Sequence, residues 1–192
     1  MLQRIPLSKL TFEQHQRLTS WLRVNHAGEV GANYIYDGQY KYIQKDLKPL
    51  IKHMKEQEKV HVNRFNELLP MTNTRPSILL PLWKVGGYIL GATTAFAGKE
   101  MAMVCTEAVE TSIGQHYNDQ LRELIELGNE VDPELKPFFK ELQETISKFR
   151  DEELEHKEIA ENNDSRNAPY YNLVSNVIKG GCSLAIEIAK RV

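Results

Sequence analysis

Apolar residues recur at three- and four-residue steps through five long stretches of this 192-residue chain, and no segment keeps a period of two. That pattern selects helices and excludes a sheet, so the expected fold class is all-α. The first helix opens at Thr11, with Gln14 completing a capping box, and runs to about Asp46, ahead of Pro49. The second spans about Pro49 to Leu69 and is stopped by Pro70. A polar loop, MTNTRPS, leads into a long stretch from about Ile78 to Leu127, whose Gly-rich early part invites a bend. Asp132 before Pro133 reads as the N-cap of a fourth helix that continues to about Glu161. A fifth helix carries YYNLVSNVIKGGCSLAIEIAK to the end. Four long helices and a fifth suggest a bundle with an appended piece, within a single domain over residues 1–192.

The stripes themselves are interrupted in a regular way. In the fourth helix Leu135, Phe138, Leu142, Ile146 and Phe149 share one face, and the same stepping lands on Glu153, His156 and Ala160. The neighbouring Asp151, Glu152, Glu155 and Glu158 fall toward the flanks and the outside. The second helix repeats the motif, with Leu47, Leu50 and Met54 followed by Glu58, His61, Phe65 and Leu68. In the third, Met103 and Thr106 lead to Glu110, then Ile113, Tyr117, Leu121 and Leu124. In the first, Leu18, Leu22 and Asn25 lead to Glu29, Ala32 and Tyr36.

Four inward glutamates cannot sit bare in a core, since each unpaired charge would cost several kcal/mol or be neutralised. Lysine and arginine are missing from these stripes, whereas two divalent cations balance four carboxylates by charge. A Glu-x-x-His pair places carboxylate and imidazole side by side on one helix face. One glutamate from each of two helices plus Glu-x-x-His from each of two others is the ligand plan of carboxylate-bridged dinuclear bundles. A buried hydrogen-bonded network and a shifted helix phase are the competing readings. With a shifted third phase Glu107 replaces Glu110, while His53 with Glu56 is an inverted pair expected on the surface.

With these residues in hand, the chain resembles the demethoxyubiquinone hydroxylase family of ferritin-like di-iron monooxygenases. RVNHAGEVGANYIYDGQ, EKVHVNRFNELLP, AVETSIGQHYNDQL and FRDEELEHKEIA match its four ligand segments in order, and the likeness extends to the closing GCSLAIEIAKRV. The resemblance implies a ferritin-like four-helix bundle with an additional C-terminal helix. It implies two iron ions held by Glu29, Glu58, His61, Glu110, Glu153 and His156, with Glu58 and Glu153 bridging. Glu29 and His61 would complete one iron, Glu110 and His156 the other. The implied reaction is ring hydroxylation of a polyprenyl demethoxy-benzoquinone with dioxygen and two electrons, late in ubiquinone biosynthesis. The segment GGYILGATTAFAGK lacks the context of a dinucleotide or phosphate loop, so the reductant, NADH by resemblance, comes from outside. Tyr117, two turns beyond Glu110, is either a satisfied core tyrosine or a hydrogen-bond partner of a ligand. His26 and His116 are expected at the flanks or behind the ligands.

The remaining features bound the partners. A net charge of -2 with interspersed signs offers no field for nucleic acid. Cys105 and Cys182 stand alone without CxxC spacing, which fits a reducing compartment. The opening MLQRIPLSKLTFEQ has no secretory apolar run, so export is not expected. Ile78–Gly98 is nearly apolar, and two readings stay open. It is either a core helix of the bundle or an apolar surface at a membrane interface, with Trp83, Lys84 and Tyr88 at headgroup level. The family implies a peripheral protein on the cytoplasmic face of a bacterial membrane or the matrix face of the mitochondrial inner membrane. It also implies oligomerisation and a lipid-presenting partner of a ubiquinone-biosynthesis complex. Iron storage on the same scaffold, a purely structural bundle, and manganese in place of iron are the alternatives that spacing alone leaves open.

Overall fold

Helix capping and helix breaking set the architecture. The computed structural model describes residues 5–192, which form six α-helices, two short 3-10 turns and, among the described residues, no strand. α1 spans Phe12–Tyr42, and the Thr11–Gln14 capping box is present as expected. α2 spans Lys48–Met71, with Pro70 inside its last turn instead of ahead of its end.

The long third stretch is two helices: α3, Leu80–Phe96, and α4, Lys99–Glu130. Gly98 divides them at φ 125°, a backbone conformation open to glycine and strained for other residues. The bend expected from the Gly-rich sequence is therefore a reversal that lays α3 back along α1. α5 spans Lys136–Asn162 and α6 spans Tyr171–Ala189. Asp132 is not the N-cap of α5. Its carboxylate accepts from the Glu134 N–H at 2.9 Å in the preceding turn, and Leu135 holds the cap position.

α1, α2, α4 and α5 form the bundle. One apolar end joins Leu18, Leu22, Phe65, Leu68, Leu124, Phe139 and Ile146. The other joins Tyr36, Ile51, Met54, Met103 and Ala160. α6 packs along α4 through Ile178, which meets Cys105, Ala108, Val109 and Ile35.

α3 is not a core helix, since only Gly91, Thr94 and Ala95 are buried along it. Leu82, Val85 and Ile89 are exposed, and so are Leu173, Val177 and Leu184 of α6. Trp83 is half-buried beside Val24, Ala27 and Ala189. No helix among the described residues is long and apolar enough to cross a membrane.

The α1–α3 crossing depends on missing side chains. A Cβ at Gly91 would overlap the Ile35 carbonyl, and one at Gly38 would overlap the Tyr88 carbonyl. Gly91→Ala is therefore expected to destabilise the fold by about 1–3 kcal/mol, the usual cost of overpacking. Thermal denaturation measures it; an unchanged melting temperature would contradict so close a contact.

Candidate metal centre

The four bundle helices bring all six expected side chains to one place between the two apolar ends. Glu29, Glu58, His61, Glu153 and His156 are fully buried and Glu110 is 1% exposed. Their ligating atoms fall into two sets, each with every atom within 4.8 Å of the others. One set is Glu29, Glu58, His61 and Glu153; the other is Glu58, Glu110, Glu153 and His156. Glu58 and Glu153 belong to both. The sets therefore describe two adjoining cation positions with two shared carboxylates.

The polar bookkeeping points the same way. Both oxygens of Glu58 and of Glu153, Glu110 Oε2 and His156 Nδ1 are buried without a hydrogen-bond partner. Buried acceptors in that number are unfavourable unless a cation meets them. His61 Nδ1 lies 3.2 Å from Glu29, 3.1 Å from Glu153 and 3.9 Å from Glu58. His156 Nδ1 lies 3.3 Å from Glu58 and 3.4 Å from Glu153. Each imidazole turns its Nε2 outward, to Glu152 at 2.7 Å and to Gln57 at 2.9 Å. An Nε2–H donated to those oxygens leaves an Nδ1 lone pair aimed into the cluster, the tautomer a metal ligand needs. The donor set of carboxylate oxygen and imidazole nitrogen suits iron or manganese.

Two tyrosines hold the terminal carboxylates. Tyr36 donates to Glu110 Oε1 at 2.5 Å, and Tyr117 donates to Glu29 Oε1. Burial, reinforced by the same carboxylates, raises both phenols well above the ordinary tyrosine value, so they stay protonated donors. Phe149 stacks on His61 with ring centroids 3.9 Å apart.

Charge in the cluster is strongly coupled. Burial and the neighbouring carboxylates raise Glu58 and Glu110 well above the usual range. Burial disfavours ionised Glu153, yet the adjoining imidazoles of His156 and His61, when protonated, hold it far below that range. Burial alone would lower His61, but Glu29, Glu153 and Glu58 override it and push the imidazole up to about 12. His156 is raised in the same way.

Sequence reasoning missed several supporting groups. By periodicity alone Tyr36 is a stripe residue, Glu152 falls toward the flank and the outside, and Gln57 is unmarked. Their offsets held the signal: Tyr36 follows Glu29 by seven residues as Tyr117 follows Glu110, and Gln57 and Glu152 each precede a shared glutamate. Glu107 points inward but away from the cluster, accepting from Ser165 at 2.5 Å and Tyr171 at 2.6 Å. His53 is exposed, as expected. His26 and His116 lie to the side, bonded to Asn66 at 3.1 Å and Asn25 at 3.0 Å.

A family model described as ubiquinone biosynthesis protein COQ7 matches residues 16–189. The chain is 48% identical over 172 residues to a Homo sapiens protein named NADPH-dependent 3-demethoxyubiquinone 3-hydroxylase, mitochondrial, covering 89% of this chain and 76% of that one. It is 47% identical over 178 residues to the 5-demethoxyubiquinone hydroxylase, mitochondrial, of Saccharomyces cerevisiae, with the same two coverages. It is 42% identical over 174 residues to the 3-demethoxyubiquinol 3-hydroxylase of Rhodospirillum rubrum, covering 90% of this chain and 77% of that one.

Protons and cations compete for this cluster. Without ions, groups whose folded values are raised hold their protons more tightly than the unfolded chain does. Their contribution to stability is full below the unfolded values of 4.5 for Glu58 and Glu110 and 6.5 for the imidazoles, and is lost as pH rises above them. Cation binding must displace those protons, so affinity grows with pH by roughly tenfold per unit for each proton released. The thermal stabilisation by Mn(II) at fixed free concentration is expected to be larger at pH about 8 than at about 6. Equal stabilisation at both values would contradict a site that exchanges protons for metal.

Proposed function

The chain belongs to the COQ7 family of ubiquinone biosynthesis proteins, and from that premise we propose how it works as the family's hydroxylase. Its substrate is a demethoxyubiquinone with a polyprenyl tail, and one oxygen atom of dioxygen enters the quinone ring. The carrying observation is the pair of interlocked ligand sets that share Glu58 and Glu153. Glu29 and His61 would hold one iron ion, Glu110 and His156 the other, with Glu58 and Glu153 between both. When bound, such an ion pair supplies the redox chemistry that activates dioxygen beside a substrate ring.

The chain's own residues supply the setting. Tyr36 and Tyr117 fix the orientation of Glu110 and Glu29 by hydrogen bonds from the opposite hairpin. Phe149 over His61, with Phe65 packed against it, keeps water from that side. On the Glu110 side the wall is apolar, formed by Ile35, Cys105, Ala108, Val109 and Ile178 from three helices. Leu90 of α3 and Val174 of α6 pack against that wall, and other apolar residues of both helices are exposed.

A quinone ring with an apolar tail fits an approach along this wall, from a membrane surface touched by Leu82, Val85, Ile89, Leu173, Val177 and Leu184. Peripheral association follows, on the matrix face of the mitochondrial inner membrane or the cytoplasmic face of a bacterial one. Electrons arrive from a reduced nicotinamide outside the chain. The human relative's name specifies NADPH, where the sequence expectation was NADH. Either donor meets the same two-electron requirement.

Iron-loaded protein, given a demethoxyubiquinone, reduced nicotinamide and labelled dioxygen, is expected to yield a hydroxylated quinone carrying the label. Glu153→Ala should bind neither ion stoichiometrically and lose at least about a hundredfold in rate. Stored mineral iron without hydroxylated product would overturn the assignment. Flotation with liposomes tests the approach surface separately. Recovery with the vesicles is expected for the native chain and loss of it for Leu82→Glu combined with Val177→Glu; recovery unchanged by that pair would remove the membrane from the proposal.

A further inference from the structure

The centre is built on an approximate twofold plan. α1 with α2 forms one hairpin, α4 with α5 the other, and the site residues repeat at the same offsets: Tyr36 follows Glu29 as Tyr117 follows Glu110, and His61 follows Glu58 as His156 follows Glu153. The four outer hydrogen bonds to the ligands cross between the hairpins. Tyr36 serves Glu110 while Tyr117 serves Glu29; Gln57 serves His156 while Glu152 serves His61.

Corresponding positions on α2 and α5 are not all alike. Met54 stands where the other hairpin has Phe149, an exchange of one apolar group for another. Gln57 stands where the other has Glu152, and this exchange changes charge on the atom that each metal-facing imidazole donates to. His61 Nε2 meets a carboxylate at 2.7 Å, His156 Nε2 an amide oxygen at 2.9 Å. A carboxylate accepting the outer N–H makes the inner nitrogen a stronger donor than an amide does. Lys148 is 3.7 Å from the far oxygen of Glu152, but its side chain is 64% exposed and screens only weakly.

We propose that the two cation positions are unequal and fill in order: the Glu29–His61 position binds first and more tightly, with Glu152 and Gln57 as the positioning residues that set the difference. The inference rests on the dinuclear reading above. It concerns which ion is held harder, a property that neither the shared ligand count nor the two bridging carboxylates determines.

The test uses ion-free protein titrated with Co(II) without oxygen, followed by calorimetry and by the paramagnetically shifted histidine N–H signals. The native chain is expected to bind two ions in separate steps, with one shifted N–H signal at one equivalent and a second at two. Glu152→Gln should weaken the first step by about 10- to 100-fold, the range found for such outer partners, and should alter the signal that appears first. Gln57→Glu should strengthen the second step and bring the two together. It also keeps the inference testable if Glu152→Gln folds poorly. A purely structural role would change melting temperature without changing the order of filling. Two ions bound with steps unmoved by either substitution would overturn this inference and leave the dinuclear reading intact. Failure to bind a second ion would overturn both.

Discussion

Four carboxylates meeting in the dry centre of a helical bundle are the constraint to which the rest of this structure answers. Side by side in low dielectric they repel one another and each forfeits its hydration, a cost that apolar packing around them cannot offset. The apolar clusters above and below the layer hold the four helices in register, but the layer itself is stable only when positive charge is shared among its oxygens. Protons on the imidazoles and on Glu58 and Glu110 can supply it, and so could two divalent cations in the state proposed for function.

The crossed hydrogen bonds add a geometric consequence. No hairpin carries a finished half of the centre, because the terminal carboxylate and the imidazole on each are oriented by a tyrosine and an amide or carboxylate from the other. Ligand geometry is therefore set by hairpin pairing, and the site is as rigid as the interface between them. α3 and α6 lie outside this pairing. They cover α1 and α4 with one face and leave apolar residues exposed on the other, the surface proposed above for the approach of substrate.

Much of this was legible in the sequence because helical periodicity and buried charge are both local signals. The stepping from Phe149 to Glu153 and His156, and from Met54 to Glu58 and His61, fixes which side chains turn inward, and the structure agrees at all six positions. What was missed depends on neighbours far away in the chain. Glu152 is a flank residue by phase and becomes an imidazole partner only because α2 passes beside it. Tyr36 looks apolar on its stripe until α4 brings Glu110 to its hydroxyl. The Gly-rich start of the third stretch reads as a bend, since nothing local distinguishes it from the reversal at Gly98. Asp132-Pro133 has the composition of a cap, but the turn it closes ends before α5 begins.

Anomalous diffraction at the iron edge, from crystals grown anaerobically with ferrous iron, addresses the central claim most directly. Two peaks are expected between the carboxylates, one beside His61 and one beside His156, both in reach of Glu58 and Glu153. A single peak, or iron bound only at surface acids, would contradict it.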